Sequence, residues 1–216
     1  MTSDDHDWIF LAAAAPFLAA FVAPFLHRLL GKATGWVLAI VPFAIFLGFA
    51  GLIGPVSQGE SVRVGIDWMP TYGFRLSYMV DGLSLVFALL ISGIGTFIVI
   101  YAGGYLHGHH HEGRFFSYLL MFMGAMLGLV LADNLIALFI YWELTSITSF
   151  LLIGFDHTRA ASRRAALQAL LTTGLGGLFM LAGLVLIALE ASGQLGLAAP
   201  SFEMSVINRA ALTRES

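Results

Sequence analysis

The chain has 216 residues, 59% hydrophobic and 11% charged, with a mean hydropathy of +0.89. Soluble domains run near ~25% charged, so this composition excludes a soluble globular class and predicts an all-α integral membrane protein. A net charge of −3 with only 10 Lys and Arg argues against nucleic-acid binding, and the absence of cysteine excludes disulfides and thiolate metal sites.

The N-terminus, "MTSDDHDW", is acidic and lacks the basic region of a secretory signal, so the apolar run from Trp8 reads as a retained membrane helix. Six spans of bilayer-crossing length follow, at about Trp8–Leu26, Trp36–Ile53, Leu83–Gly103, Phe115–Leu131, Leu135–Gly154 and Ala165–Leu189. The positive-inside rule orients them. With the N-terminus outside, the inner loops carry Arg28, Lys32, Arg114, Arg159, Arg163 and Arg164, and the outer side carries Arg63, Arg75, Arg209 and Arg214. The basic cluster after the fifth span favours that orientation. The whole chain is expected to form a single membrane domain, 1–216.

Between the second and third spans, "SVRVGIDW" alternates Val62, Val64, Ile66 and Trp68 with polar residues, and "FRLSYMV" alternates Phe74, Leu76, Tyr78 and Val80. Period-two alternation around the turn-forming "MPTYG" predicts an outer β-hairpin. A lone hairpin is marginal in water, so it is expected to pack on loops of this chain or of a neighbour. Asp81, in "VDGLS", opens the third span as an N-cap or, alternatively, as an ion-access residue. Ser92 and Thr96 deeper in that span read as interhelical hydrogen-bond glue.

The loop "LHGHHHEG" contains His107, His109, His110, His111 and Glu112. Adjacent imidazoles rarely converge on one metal ion, so no metal site is expected; the readings are a solvated loop or a proton antenna at the inner mouth. Gly124 and Gly128 form a GxxxG pair in the fourth span, and Gly174, Gly176, Gly177 and Gly183 recur in the sixth, all suited to close helix packing.

The fifth span holds one charge, Glu143, near its centre. Twenty helical residues, 136–155, cover about 30 Å, the thickness of the hydrocarbon core. An ionisable group there costs at least ~2.5–3.5 kcal/mol, and such residues are functional by default. Its helical neighbours are Phe139, Ile140, Ser146 and Ile147, while Thr145, Thr148 and Ser149 lie on other faces, so protein rather than lipid is expected around this helix. Burial draws a carboxyl to its neutral form and a cation draws it back to the anion. A group held between those pulls can load and release a proton. The plainer reading is a permanently neutral acid bonded to a neighbouring helix.

Arg164, Gln168, Thr172 and Gly176 form an i, i+4, i+8, i+12 stripe from the inner end into the sixth span. It lines a hydrated path toward Glu143 in one reading; in the other, Arg164 anchors topology and Gln168 and Thr172 are interhelical glue. No Walker motif, dinucleotide fingerprint or hydrolase elbow is present, so neither a cofactor nor catalysis on an organic substrate is expected.

The stretch "YWELTSITSFLLIGF" at 141–155, with "DGLS" at 81–84 and "DN" at 133–134, resembles the proton-conducting antiporter-like subunits shared by respiratory complex I and the Mrp-type sodium/proton antiporters. The "WELTS…SFLLIG" form is most similar to the large subunit of the Mrp type. The resemblance implies a core of inverted five-helix repeats with charged residues strung along the membrane midplane. It also implies that Glu143 matches a fifth-helix glutamate that pairs with a lysine on a seventh helix. This chain has no seventh span and one lysine, Lys32, outside the spans. It is therefore expected to be the N-terminal six-helix part of a longer subunit.

The function so implied is part of a Na+/H+ antiporter complex in a bacterial plasma membrane. Its partners would be the other subunits, the lipid bilayer, protons and Na+, with Glu143 as proton relay. The alternatives are a proton-pumping subunit of a complex I-type NADH:quinone oxidoreductase and a non-transporting membrane scaffold.

Overall fold

The computed structural model describes residues 6–69, 74–106, 111–197 and 201–208. It contains helices α1 (Trp8–Leu30), α2 (Thr34–Ala50), a short α3 (Ile53–Ser57), strands β1 (Val62–Met69) and β2 (Phe74–Val80), and helices α4 (Gly82–Tyr105), α5 (Glu112–Leu131), α6 (Leu135–Ile153) and α7 (Ala160–Gln194). Among the described residues, five helical stretches are long and apolar enough to cross a membrane. The first, Trp8–Ala50, is broken by a 3-10 turn at Gly31–Ala33 into α1 and α2. The six expected spans therefore correspond to α1, α2 and α4 to α7.

Gly31 makes that break. Its φ of +50° lies in the left-handed region, where a side chain is strained, and Thr34 Oγ1 donates to its carbonyl at 2.7 Å. The chain reverses there: the Trp8 ring at the start of α1 meets Phe49 at the end of α2 edge-on at 5.3 Å. Each later contact is also antiparallel. Gly35 near the start of α2 meets Gly103 near the end of α4 backbone to backbone, with 3.1 Å between the Gly103 Cα and the place a Cβ on Gly35 would take. Gly113 at the start of α5 receives Pro24 and His27 from the end of α1. The result is an up-and-down bundle in which α1 packs on α5, α2 on α4, α5 on α6 and α6 on α7.

The expected GxxxG pair works differently. Gly124 receives the ring of Phe17 from α1, and Gly128 receives the ring of Tyr141 from α6. Two neighbouring helices thus each insert an aromatic ring, and the backbone-to-backbone approach occurs instead at Gly35 and Gly103. Ser92 and Thr96 are also not interhelical glue. Their hydroxyls donate within α4, to Ala88 O at 2.6 Å and Ser92 O at 2.8 Å.

The hairpin forms as expected, antiparallel, with Val62 opposite Val80, Val64 opposite Tyr78 and Ile66 opposite Leu76. Val64, Tyr78 and Val80 are buried, while Ile66 is exposed, so the strands are covered only where they leave the bundle. Tyr78 pairs with Ala132 in the α5–α6 turn, stacks near Phe10, and shares a hydrogen bond with Tyr141 of α6. The hairpin therefore rests on its own chain.

At 35 residues, α7 is about 52 Å long, well beyond a hydrocarbon core of about 30 Å. Past it the chain folds back. Ser201 N donates to Ser192 Oγ at 2.8 Å, and residues 201–208 dock on the α5–α6 turn. Asp133 and Asn134 are the joint. Asp133 N donates to Ser77 O at 2.9 Å, Asp133 O accepts from Met204 N at 2.9 Å, and Asp133 Oδ1 accepts from Ser205 N at 3.2 Å. Asn134 Oδ1 caps α6, accepting from Ile136 N and Ala137 N.

A candidate ion-coupling site around Glu143

With Asn134 capping its first turn, α6 carries Glu143 to mid-helix. The residue is half-buried, but Oε1 is wholly shielded and has no hydrogen-bond partner. No lysine, arginine or histidine among the described residues forms an ion pair with it. Nor do the hydroxyls around it bond to it: Ser146 and Thr145 donate to Trp142 O, and Thr148 to Leu144 O, all within α6. The carboxyl lies instead against the bare backbone of Gly177 on α7, where a Cβ would overlap Oε1 and stand 3.1 Å from Cδ.

That contact fixes which face of α7 meets α6. The buried positions Ala166, Gly177 and Ala188 are spaced by 11 residues, about three turns, and so lie on one line. Arg164, Gln168 and Thr172 fall on the side away from that line and Gly176 on its flank, and all four are exposed. Thr172 donates to Gln168 O at 2.9 Å, and Gly176 has no neighbour within 4 Å of its Cβ position. The structure thus brings Glu143 to Gly177, and does not bring the Arg164 stripe to Glu143.

Asp81 sits at the hairpin end and caps α4. Its Oδ1 accepts from Ser84 N at 2.8 Å, and Asp81 N donates to Ser84 Oγ at 2.7 Å, a reciprocal capping box. Burial raises this carboxyl, but the hydrogen bonds from Ser84 and Leu83 outweigh it and hold it below the usual aspartate range. At the same end, burial and the neighbouring Tyr141 push the Tyr78 hydroxyl far above the usual tyrosine range.

At the other end of the bundle, His107, His109 and His110 lie outside the described residues. His111 precedes α5, its ring 5.9 Å from that of His157 in the α6–α7 loop. Arg114 Nη2 lies 3.4 Å from His157 Nδ1, and Arg163 Nη1 donates to His157 O at 2.7 Å, so two arginines hold that loop.

Sequence reasoning missed the partnership at this end. Glu112 is 2% exposed, with Nε2 of His27 from α1 3.9 Å from Oε2 and with Oε1 unpartnered. His27 Nδ1 in turn lies 3.4 Å from Thr34 Oγ1. The sequence pattern places Glu112 only in the loop before the fourth span. Nothing in the spacing pointed to His27, 85 residues earlier.

Two family models match the chain: "NADH-Ubiquinone oxidoreductase (complex I), chain 5 N-terminus" over residues 68–116, and "NADH:quinone oxidoreductase/Mrp antiporter, TM" over residues 132–208. The A1 subunit of the Na(+)/H(+) antiporter of Staphylococcus haemolyticus is 44% identical over 180 residues, 83% of this chain and 22% of the relative. Its counterpart from Staphylococcus aureus matches equally. The chain thus spans about a fifth of the length of these curated relatives. Among solved structures, the Mrp complex from Dietzia sp. DQ12-45-1b aligns at 33% identity and a TM-score of 0.74, over 88% of this chain and 20% of that one. Respiratory complex I from Thermus thermophilus aligns at 24% identity and a TM-score of 0.70, over 92% of this chain and 38% of that one, and shares the fold. The capped and jointed "DGLS" and "DN" segments, the mid-helix Glu143 and these matches together establish that the chain belongs to the antiporter-like membrane subunit family common to Mrp antiporters and NADH:quinone oxidoreductases, with its similarity to the N-terminal part of the large Mrp subunit.

Proposed function

We propose that this chain is part of a monovalent cation/proton antiporter complex of a bacterial plasma membrane, oriented with its N-terminus outside, and that Glu143 is its proton relay. The observation that carries the proposal is the state of that carboxyl. It sits mid-helix with Oε1 shielded from solvent and without a partner. An unsatisfied buried polar group costs about 1–3 kcal/mol, more when charged. Either a proton or an approaching cation relieves that cost, so the charge state of Glu143 follows whatever cation comes near. Lys32, the one lysine, is exposed on the 3-10 turn, and Arg164 is exposed on the far side of α7. In this reading the cation is the seventh-helix lysine that the family resemblance implies. Its withdrawal loads the carboxyl with a proton, and its return expels that proton. The other subunits, the bilayer, protons and Na+ are the partners of this reading.

The antiporter reading is favoured over the complex I-type reading by identity, 44% to the antiporter relative and 24% to the complex I chain. Co-purification with redox subunits rather than antiporter subunits would reverse that choice. The relay is tested by Glu143→Gln in the assembled complex, measured as sodium-dependent proton efflux in everted membrane vesicles. Loss of exchange with assembly intact is expected, and Glu143→Asp should keep part of it. Near-normal exchange by Glu143→Gln overturns the relay and leaves the scaffold reading.

A further inference from the structure

The glycines of α7 do not share one role. Gly174, Gly176 and Gly183 have no atom within 4 Å of the place a Cβ would take, so no packing among the described residues requires them. Alone among the glycines of that helix, Gly177 is buried, and the atoms its missing side chain makes room for are those of the Glu143 carboxyl. The rotation of α7 that presents Gly177 is set on both sides. Ala166 and Ala188, one 11-residue step before and after, are 1% and 0% exposed, and Ala166 packs on Gly154 at the end of α6.

From this we infer that Gly177 is the positioning residue of the Glu143 relay: its bare backbone is the seat on which the carboxyl rests. The inference rests on the relay reading above and adds to it the element that holds the acid in place. The geometry separates position from stability. The atoms nearest a new Cβ belong to the tip of a flexible side chain rather than to backbone, so the carboxyl swings aside while the helices stay together. The α7 backbone groups are committed to helical hydrogen bonds and offer the carboxyl none. The seat therefore fixes where the acid is without fixing its charge, as a group that must alternate between two protonation states requires.

Gly177→Ala in the assembled complex tests this, with Gly176→Ala as comparison. A misplacement of about 1 Å can cost a relay on the order of a hundredfold, so Gly177→Ala should lower exchange by roughly tenfold to a hundredfold. It should also shift the Glu143 carboxyl band in infrared difference spectra, the band being assigned by its loss in Glu143→Gln. Gly176→Ala should leave the band in place. Aspartate is shorter by one methylene and clears the added methyl group, so Gly177→Ala with Glu143→Asp should work as well as Glu143→Asp alone.

Wild-type exchange and an unmoved band in Gly177→Ala overturn the seat, as does a double variant whose losses multiply. If Gly177→Ala does not assemble, the double variant decides: assembly restored by the shorter acid supports the seat, and failure to restore it rejects it. A functional Glu143→Gln complex would instead remove the relay. The band shift in Gly177→Ala would still report on the seat by itself.

Discussion

Gly128 is the position where an added methyl group should harm the bundle most directly. A Cβ there overlaps the ring of Tyr141, at Cδ1, Cε1 and Cζ together. Unlike the tip of Glu143, that ring cannot swing freely, because its hydroxyl is tied to Tyr78 of the hairpin. Alanine in place of glycine gains about 1 kcal/mol of helix propensity. Overpacking costs about 1–3 kcal/mol, and loss of the Tyr78–Tyr141 hydrogen bond about 1 kcal/mol more. The balance is a destabilisation of roughly 1–3 kcal/mol. Gly176→Ala, open in this chain, should instead gain up to about 1 kcal/mol. Thermal unfolding of the detergent-solubilised complex, followed by helical circular dichroism, compares them. A second arm replaces Tyr141 by leucine, which removes the ring and should recover most of the loss in Gly128→Ala. If Gly128→Ala melts with the wild type, the ring is not seated on Gly128 and the account of the GxxxG pair is wrong.

Asp81→Ala should cost about 1 kcal/mol through loss of the capping box, with less from its charge because the half-buried carboxyl is still screened by solvent. Because folding holds that carboxyl below its ordinary value, its contribution is present above about pH 4 and is lost as pH falls through the lower folded value; the melting of Asp81→Ala should be flatter with pH in that acid window. Tyr78→Phe should cost about 0.5–1.5 kcal/mol, read as a lower melting temperature. The raised hydroxyl of Tyr78 should also withhold one tyrosinate absorbance step from an alkaline titration until the fold opens. His27→Ala leaves Glu112 buried without its neighbouring imidazole and should cost about 1–3 kcal/mol, and adding Glu112→Gln should recover part of that loss. Strict additivity of the two substitutions would show that they do not interact.

Much of the architecture was legible because the bilayer constrains it. Long apolar runs map onto α1, α2 and α4 to α7, and strict alternation maps onto β1 and β2, since one face of the hairpin lies on the bundle. What eluded sequence reasoning was set by contacts between distant segments. The extension of α7 to Gln194 depends on backbone hydrogen bonds, and the return of 201–208 joins backbone N–H groups to Asp133 and Ser192, contacts that leave no periodic side-chain pattern. The GxxxG pair was visible as small residues, but which partner fills each gap depends on Phe17 and Tyr141, residues of ordinary apolar type. Likewise Ser92 and Thr96 were legible as buried polar groups. Their choice of the carbonyl four residues back over a neighbouring helix follows from local geometry.

The site divides along the same line. Glu143 was legible because charge at mid-span is costly and so stands out against an apolar background. Gly177 was visible only as one of several glycines, since a residue that acts by lacking a side chain leaves no chemical mark. The Arg164 stripe shows the opposite failure: its four-residue period is real, yet period alone cannot say which way a face points. Orientation came from Ala166, Gly177 and Ala188, whose 11-residue step tracks one line down α7 and turns Arg164 away. A helix with small residues toward its neighbour and long ones outward brings its backbone, rather than its side chains, to that neighbour. For a carboxyl proposed to exchange a proton, a backbone already saturated with hydrogen bonds is a contact without competition.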